Sequence, residues 1–116
     1  MRHLNHDVLD TLRETLGESD FFEVTNTFAQ QFERQLQALR QHAECRELPE
    51  CAHILHSLKG SAGNIGAQTL AEITQTFEQQ IRGGDISLES MIEVLSSTIN
   101  TTIDELRDSG YLGAAP

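Results

Sequence analysis

Apolar residues recur along this chain at steps of three and four, and strict alternation is almost absent, which predicts helices throughout and an all-α fold. The first stripe, Val8, Leu9, Leu12 and Leu16, gives a helix from about Asp7 to Leu16, with Gly17 as its stop. Ser19 can cap a second, long helix from about Asp20 to Glu44, whose repeat runs through Phe21, Val24, Phe28, Phe32, Leu36, Leu39 and Ala43. Pro49 suits the first turn of a third helix, where its missing N–H has no partner to lose; this helix runs to about Ile65, and Gly66 can supply a left-handed terminator. A fourth helix turns Leu70, Ile73, Phe77 and Ile81 inward and closes at Gly83-Gly84-Asp85. Ser87 can cap the last, with Leu88, Ile92, Leu95, Ile99, Ile103 and Leu106 as its buried stripe and Gly110 at its end.

Short connections between long amphipathic helices favour antiparallel neighbours, so the expected architecture is an up-and-down four-helix bundle with the additional short N-terminal helix lying across one end. A chain of 116 residues with 38% hydrophobic content can bury one core without metal or disulfide staples. No linker or internal repeat divides it, so residues 1–116 read as a single domain, compact from about Leu4 to Gly110.

A formal charge of −10 would repel both a nucleic-acid backbone and an anionic lipid surface. The apolar runs fall far short of the roughly 20 residues that span a bilayer, and the start from Met1 to Asp7 has no secretory core. A cytoplasmic location is expected. Cys45 and Cys51 match no common zinc spacing and read as reduced thiols.

The chemistry concentrates on the third helix. At about 100° of rotation per residue, Cys51, Ile54, Leu55, Leu58, Ser61, Ala62 and Ile65 share the core arc, and His56 lies nearly opposite its centre. Gly60 and Gly63 fall on the same outer face, although a glycine inside a helix costs about 1 kcal/mol relative to alanine. Their placement beyond His56 leaves room for another molecule to approach the imidazole. Ser57 and Asn64 offer small hydrogen-bonding groups at the flanks, and Lys59 can lean back toward His56. A neutral imidazole is a competent nucleophile for phosphorus, and a neighbouring ammonium offsets charge on phosphoryl oxygens.

The run His56-Ser57-Leu58-Lys59-Gly60-Ser61-Ala62-Gly63-Asn64-Ile65-Gly66-Ala67 closely resembles the signature of the histidine-containing phosphotransfer (HPt) family, H-x-L-K-G-S-x-x-x-x-G followed by a small residue. Leu70 with Phe77-Glu78 resembles the family's next helix, and Phe21 to Phe32 the helix before it. The resemblance implies a four-helix bundle whose exposed histidine takes a phosphoryl group from a receiver-domain aspartate and returns it to another receiver. It implies that His56 is the phosphoacceptor, that Lys59 stabilises the phosphoryl group, that Gly60 leaves room for the receiver, and that Ser61 is a neighbouring structural or hydrogen-bonding residue. Glu78 falls where many family members place a Gln or Glu that can bond the other imidazole nitrogen; it reads equally as an ordinary exposed glutamate. Gln75, one turn earlier, is a weaker candidate for that role. The implied partners are receiver domains of response regulators and hybrid sensor kinases, with Mg²⁺ on the receiver and no cofactor in this chain.

No nucleotide-binding glycine loop or kinase motif is visible, so the chain reads as a carrier rather than an enzyme. Two other uses stay open on the residues alone. His42, Cys45, Cys51, His53 and His56 gather potential metal ligands, although Cys51 points to the apolar side of the helix that carries both later histidines. A structural helical adaptor could instead use the Phe21-to-Phe32 stripe to seek another chain, but core packing is its simpler use and a monomer is expected. His53, one turn before His56, is an alternative phosphoacceptor, though Lys59, Gly60 and Gly63 lie too far along the helix to serve it.

Overall fold

The structure, a computed structural model, describes residues 3–84 and 86–113. Among them there are five helices and no strand: α1 (His6–Leu16), α2 (Glu18–Glu44), α3 (Leu48–Asn64), α4 (Gln68–Gly83) and α5 (Leu88–Asp108). The four long helices form a closed ring in which α3 packs on α2 and α4, and α5 packs on the other sides of the same two helices. This is the expected four-helix bundle. Its body measures 43 × 27 × 22 Å.

The helix ends follow local chemistry with one departure. Asn5 caps α1 by accepting from the N–H of Val8, and Ser87 caps α5 by accepting from the N–H of Ser90. Pro49 sits in the first turn of α3, and Gly84 ends α4 in the left-handed conformation. Asp85, expected in that same turn, lies outside the described residues. Ser19 does not cap α2. The single residue Gly17, at φ +82°, redirects the chain so sharply that α2 starts at Glu18 and Ser19 falls inside it.

Phe21, Phe32 and Leu39 of α2, Leu55 and Leu58 of α3, and Leu95 of α5 are among the side chains fully removed from solvent. The buried faces are rotated slightly from the purely apolar stripes. On α5, Met91 is enclosed and Ile92 only half-buried; on α4, Thr74 and Glu78 are buried while Ile73 and Phe77 are half-buried. The threonines are tolerated because their hydroxyls donate to the preceding turn: Thr74 to the Leu70 carbonyl at 2.6 Å and Thr102 to that of Thr98 at 2.7 Å.

α1 closes the pole of the bundle where α2 begins and α5 ends. Only Leu9 of its stripe is fully buried, and Val8 and Leu16 remain 36% exposed, because a helix lying over one end has little to cover. It is held at several points. The N–H of Asn5 donates to the Gly66 carbonyl at 2.7 Å, and Arg13 Nη2 donates to the Gly110 carbonyl at 2.7 Å. Packing continues past Gly110: Tyr111 is buried, its hydroxyl donates to Asp10 Oδ1 at 2.9 Å and accepts from His6 Nδ1 at 2.9 Å. The Arg13 guanidinium lies over the rings of Phe21, Phe22 and Tyr111, 4.9 to 5.5 Å from their centroids. Among the described residues no helix is long and apolar enough to cross a membrane.

Candidate functional site

Leu55 and Leu58 anchor α3 in the core, and that fixes where the residues between and beyond them point. His56 emerges with its side chain 65% exposed, on the flank of α3 that faces α4. Ser57 emerges on the other flank and accepts from Gln35 Nε2 of α2 at 3.0 Å. Ser61 is half-buried at the edge of the core.

The partner of the imidazole is Glu78. Leu70, Thr74 and Glu78 follow one another at steps of four on the inward face of α4, so the backbone carries a carboxylate into a position that is only 6% exposed. Its reading as an ordinary exposed glutamate is therefore ruled out. Glu78 Oε2 lies 3.2 Å from His56 Nδ1 and 3.0 Å from Arg82 Nη2, and Oε1 lies 3.2 Å from Lys59 Nζ. Burial pushes the Glu78 carboxyl up, but hydrogen bonds from Arg82 and Lys59, the Lys59 charge and the bond from His56 together outweigh it and hold the group below the usual carboxylate range. An ionised carboxylate only accepts, so the proton in its bond with His56 belongs to Nδ1. The lone pair of the neutral ring is then on Nε2. Gln75 is exposed and does not fill this place.

Lys59 is one turn from His56, as the spacing requires, yet its ammonium rests on Glu78 rather than on the imidazole. Arg82 was not among the residues picked out from the sequence. The signal was available, since a glutamate followed four residues later by an arginine is a favourable pair on one helix face.

Gly60 and Gly63 are exposed, and a Cβ added at either would find nothing within 4 Å. Internal packing therefore does not demand glycine at these positions. Two residues unfavourable to the helix are kept where they leave its outer face bare beside His56.

His53 is exposed, and among the described residues no carboxylate lies within ion-pair distance of it. It borders a shallow groove with Gln31, Arg34, Gln35 and Ile54. The suspected metal ligands do not converge. His42 bonds Glu47 at 2.9 Å, Cys51 is fully buried, and among the described residues no three His, Cys, Asp or Glu side chains are placed to share an ion. A groove of about 960 Å³ between α2 and α5 is lined by residues such as Arg40, Glu93 and Asp104, and neither His56 nor any of the groups around it lies there.

Compared with protein families, the chain matches the Hpt domain over residues 23–109. Among solved structures it is similar to histidine-containing phosphotransfer protein B (HptB) from Pseudomonas aeruginosa PAO1, with 25% sequence identity and a TM-score of 0.85 over 92% of this chain and 93% of that one. No curated protein matches it.

Proposed function

The chain belongs to the Hpt domain family, and from that premise we propose that His56 is the residue that carries the phosphoryl group. The protein is a histidine phosphotransfer module of a phosphorelay, a phosphocarrier working with receiver domains rather than a kinase. The observation that supports His56 as its site is the bond from Nδ1 to the buried carboxylate of Glu78, which leaves the opposite nitrogen unprotonated and facing outward beside two bare turns of helix.

In the forward step the Nε2 lone pair attacks the phosphorus of a receiver's aspartyl phosphate. The new N–P bond forms as the P–O bond to the aspartate breaks, and the aspartate leaves as a carboxylate with the bonding pair. The ring keeps its Nδ1 proton and becomes a phosphoimidazolium, whose positive charge faces Glu78. This resembles the way a buried carboxylate supports an imidazolium in hydrolytic triads. Lys59, three residues along α3 from His56 and with a flexible stem and three donors, exchanges Glu78 for a phosphoryl oxygen in this reading. Gly60 admits the receiver, and Ser61 supports the helix from the core edge. Transfer to a second receiver runs the same step backward. Mg²⁺ sits on the receiver in this reading, and no metal or cofactor is assigned to this chain.

We place the module in the cytoplasm, where two unpaired cysteines, Cys45 and Cys51, suit a reducing medium. A monomer fits the burial of Phe21 and Phe32 within their own bundle. The test is transfer from a panel of phosphorylated receiver domains to the wild type, His56→Gln and His53→Gln. Acid-labile label on the wild type and His53→Gln, and none on His56→Gln, is the expected result. Label retained by His56→Gln and lost from His53→Gln would move the site one turn back along α3.

A further inference from the structure

Glu78 is bonded by two cations as well as by the imidazole, and the two do not occupy equivalent places. Lys59 approaches Oε1, the oxygen the imidazole does not use, so it can leave without disturbing the bond to His56. Arg82 holds Oε2, the oxygen that accepts from Nδ1, at 3.0 Å from the next turn of the same helix. A lone ammonium is a mobile point charge, whereas a guanidinium holds a carboxylate oxygen in a fixed direction.

We propose that Arg82 is a positioning residue for phosphoryl transfer, keeping Glu78 charged and aimed at Nδ1 of His56 when Lys59 moves from that carboxylate to the phosphoryl group. The inference rests on His56 being the phosphoacceptor. Phosphorylation of Nε2 brings new negative charge within reach of Lys59, and the carboxylate it leaves is nearly closed to water. Without Arg82 that carboxylate would have the imidazole as its one remaining ionic partner, and a buried charge so poorly paired is costly. Lys59 would then stay on Glu78 and leave the phosphoryl group unattended, or Glu78 would take up a proton and lose its grip on the ring tautomer. Arg82 itself is 63% exposed, so it can be altered without opening the core.

The experiment compares wild type, Arg82→Gln and Arg82→Lys in the full chain by three readouts: thermal melting, the rate of label uptake from a phosphorylated receiver, and the ¹⁵N shifts of the His56 ring in the unphosphorylated proteins with Lys59→Gln added to each, which reproduces the departure of Lys59 from Glu78. For Arg82→Gln the expected result is a cooperative melt lowered by only a few degrees, uptake slowed roughly five- to tenfold, and a ring population that shifts from the Nδ1–H form toward a mixture, with Arg82→Lys restoring most of the last two. An Arg82→Gln protein with wild-type uptake or an unshifted ring population overturns the proposal, as does a defect that Arg82→Lys fails to restore. Because the ring measurement needs no receiver, failure of the wild type itself to take label would count against the phosphoacceptor assignment alone.

Discussion

Nδ1 of His56 donates to Oε2 of Glu78 across the α3–α4 interface at 3.2 Å, joining a 65% exposed ring to a carboxylate that is almost fully enclosed. The bond gives the ring a fixed chemical polarity, with the proton inward and the lone pair outward. Glu78→Gln keeps an acceptor of similar shape but removes its charge, so label uptake should fall about tenfold, and the protein should remain folded. The substitution has a second signature. A carboxyl held below its usual range adds stability that is present above pH 4.5, its ordinary value, and is lost as pH falls through the lowered one. Chemical denaturation from pH 6 downward should show that acid-side loss in the wild type and a smaller one in Glu78→Gln; identical pH profiles would contradict it.

Gly60→Ala separates stability from function. An added methyl meets nothing within 4 Å, and alanine is the better helix former, so the variant should be more stable by about 0.5–1 kcal/mol. The same methyl stands on the bare face beside His56, so uptake from a receiver should slow by about tenfold or more. Denaturant melts and single-turnover labelling on the same preparation check both signs.

Gly66 carries the opposite prediction. It sits at φ +71°, and a Cβ there would lie 2.9 Å from the Asn5 carbonyl oxygen and 3.1 Å from Val8 Cβ. Gly66→Ala should therefore cost roughly 1–3 kcal/mol and loosen α1 first. Hydrogen exchange should show protection lost around Asn5 to Leu9 before the core of α3; uniform loss would refute the local origin.

At the sealed pole, Tyr111 is pushed up to about 12 by burial, by its hydrogen bond to Asp10 and by that carboxylate's charge, against a smaller opposing effect of Arg13. A phenol raised from its ordinary value of 10 supports the fold fully below pH 10 and withdraws that support as pH rises toward 12. Tyr111→Phe should lose about 1–2 kcal/mol near neutrality, because Asp10 and His6 lose their shared partner, and should show a flatter decline above pH 10. Denaturation across pH 7 to 11 measures both effects.

The helices were legible in the sequence because periodicity and punctuation agreed: Pro49, Gly84, Ser87 and Gly110 stand where the chain starts or stops helices. The exposure of His56 followed from angular position alone. The partner of its ring did not. Glu78 lies on the buried side of α4 because Leu70, Thr74 and Glu78 share a face, and a reading that sorts residues by hydrophobicity assigns Phe77 inward and a glutamate outward. Family resemblance supplied what periodicity could not. Lys59 posed a similar problem: its spacing showed reach toward His56, but which group it would choose depended on a carboxylate contributed by another helix. The closure of the pole by Tyr111 was also invisible, since its partners His6, Asp10 and Thr25 come from the far end of the chain.

The bare strip at Gly60 and Gly63 bears on how one receiver is told from another. With His56 as the proposed phosphoacceptor, a surface without side chains has nothing with which to accept one partner and refuse the next, so contact there would be common to every receiver that reaches the imidazole. Discrimination passes to the flank, where Gln35 bonded to Ser57, with Arg34 and His53 beside them, presents groups that an arriving surface must pair or displace. On that proposed reading, one nitrogen would serve whichever receivers reach it, and what each one meets to the side of it would rank them.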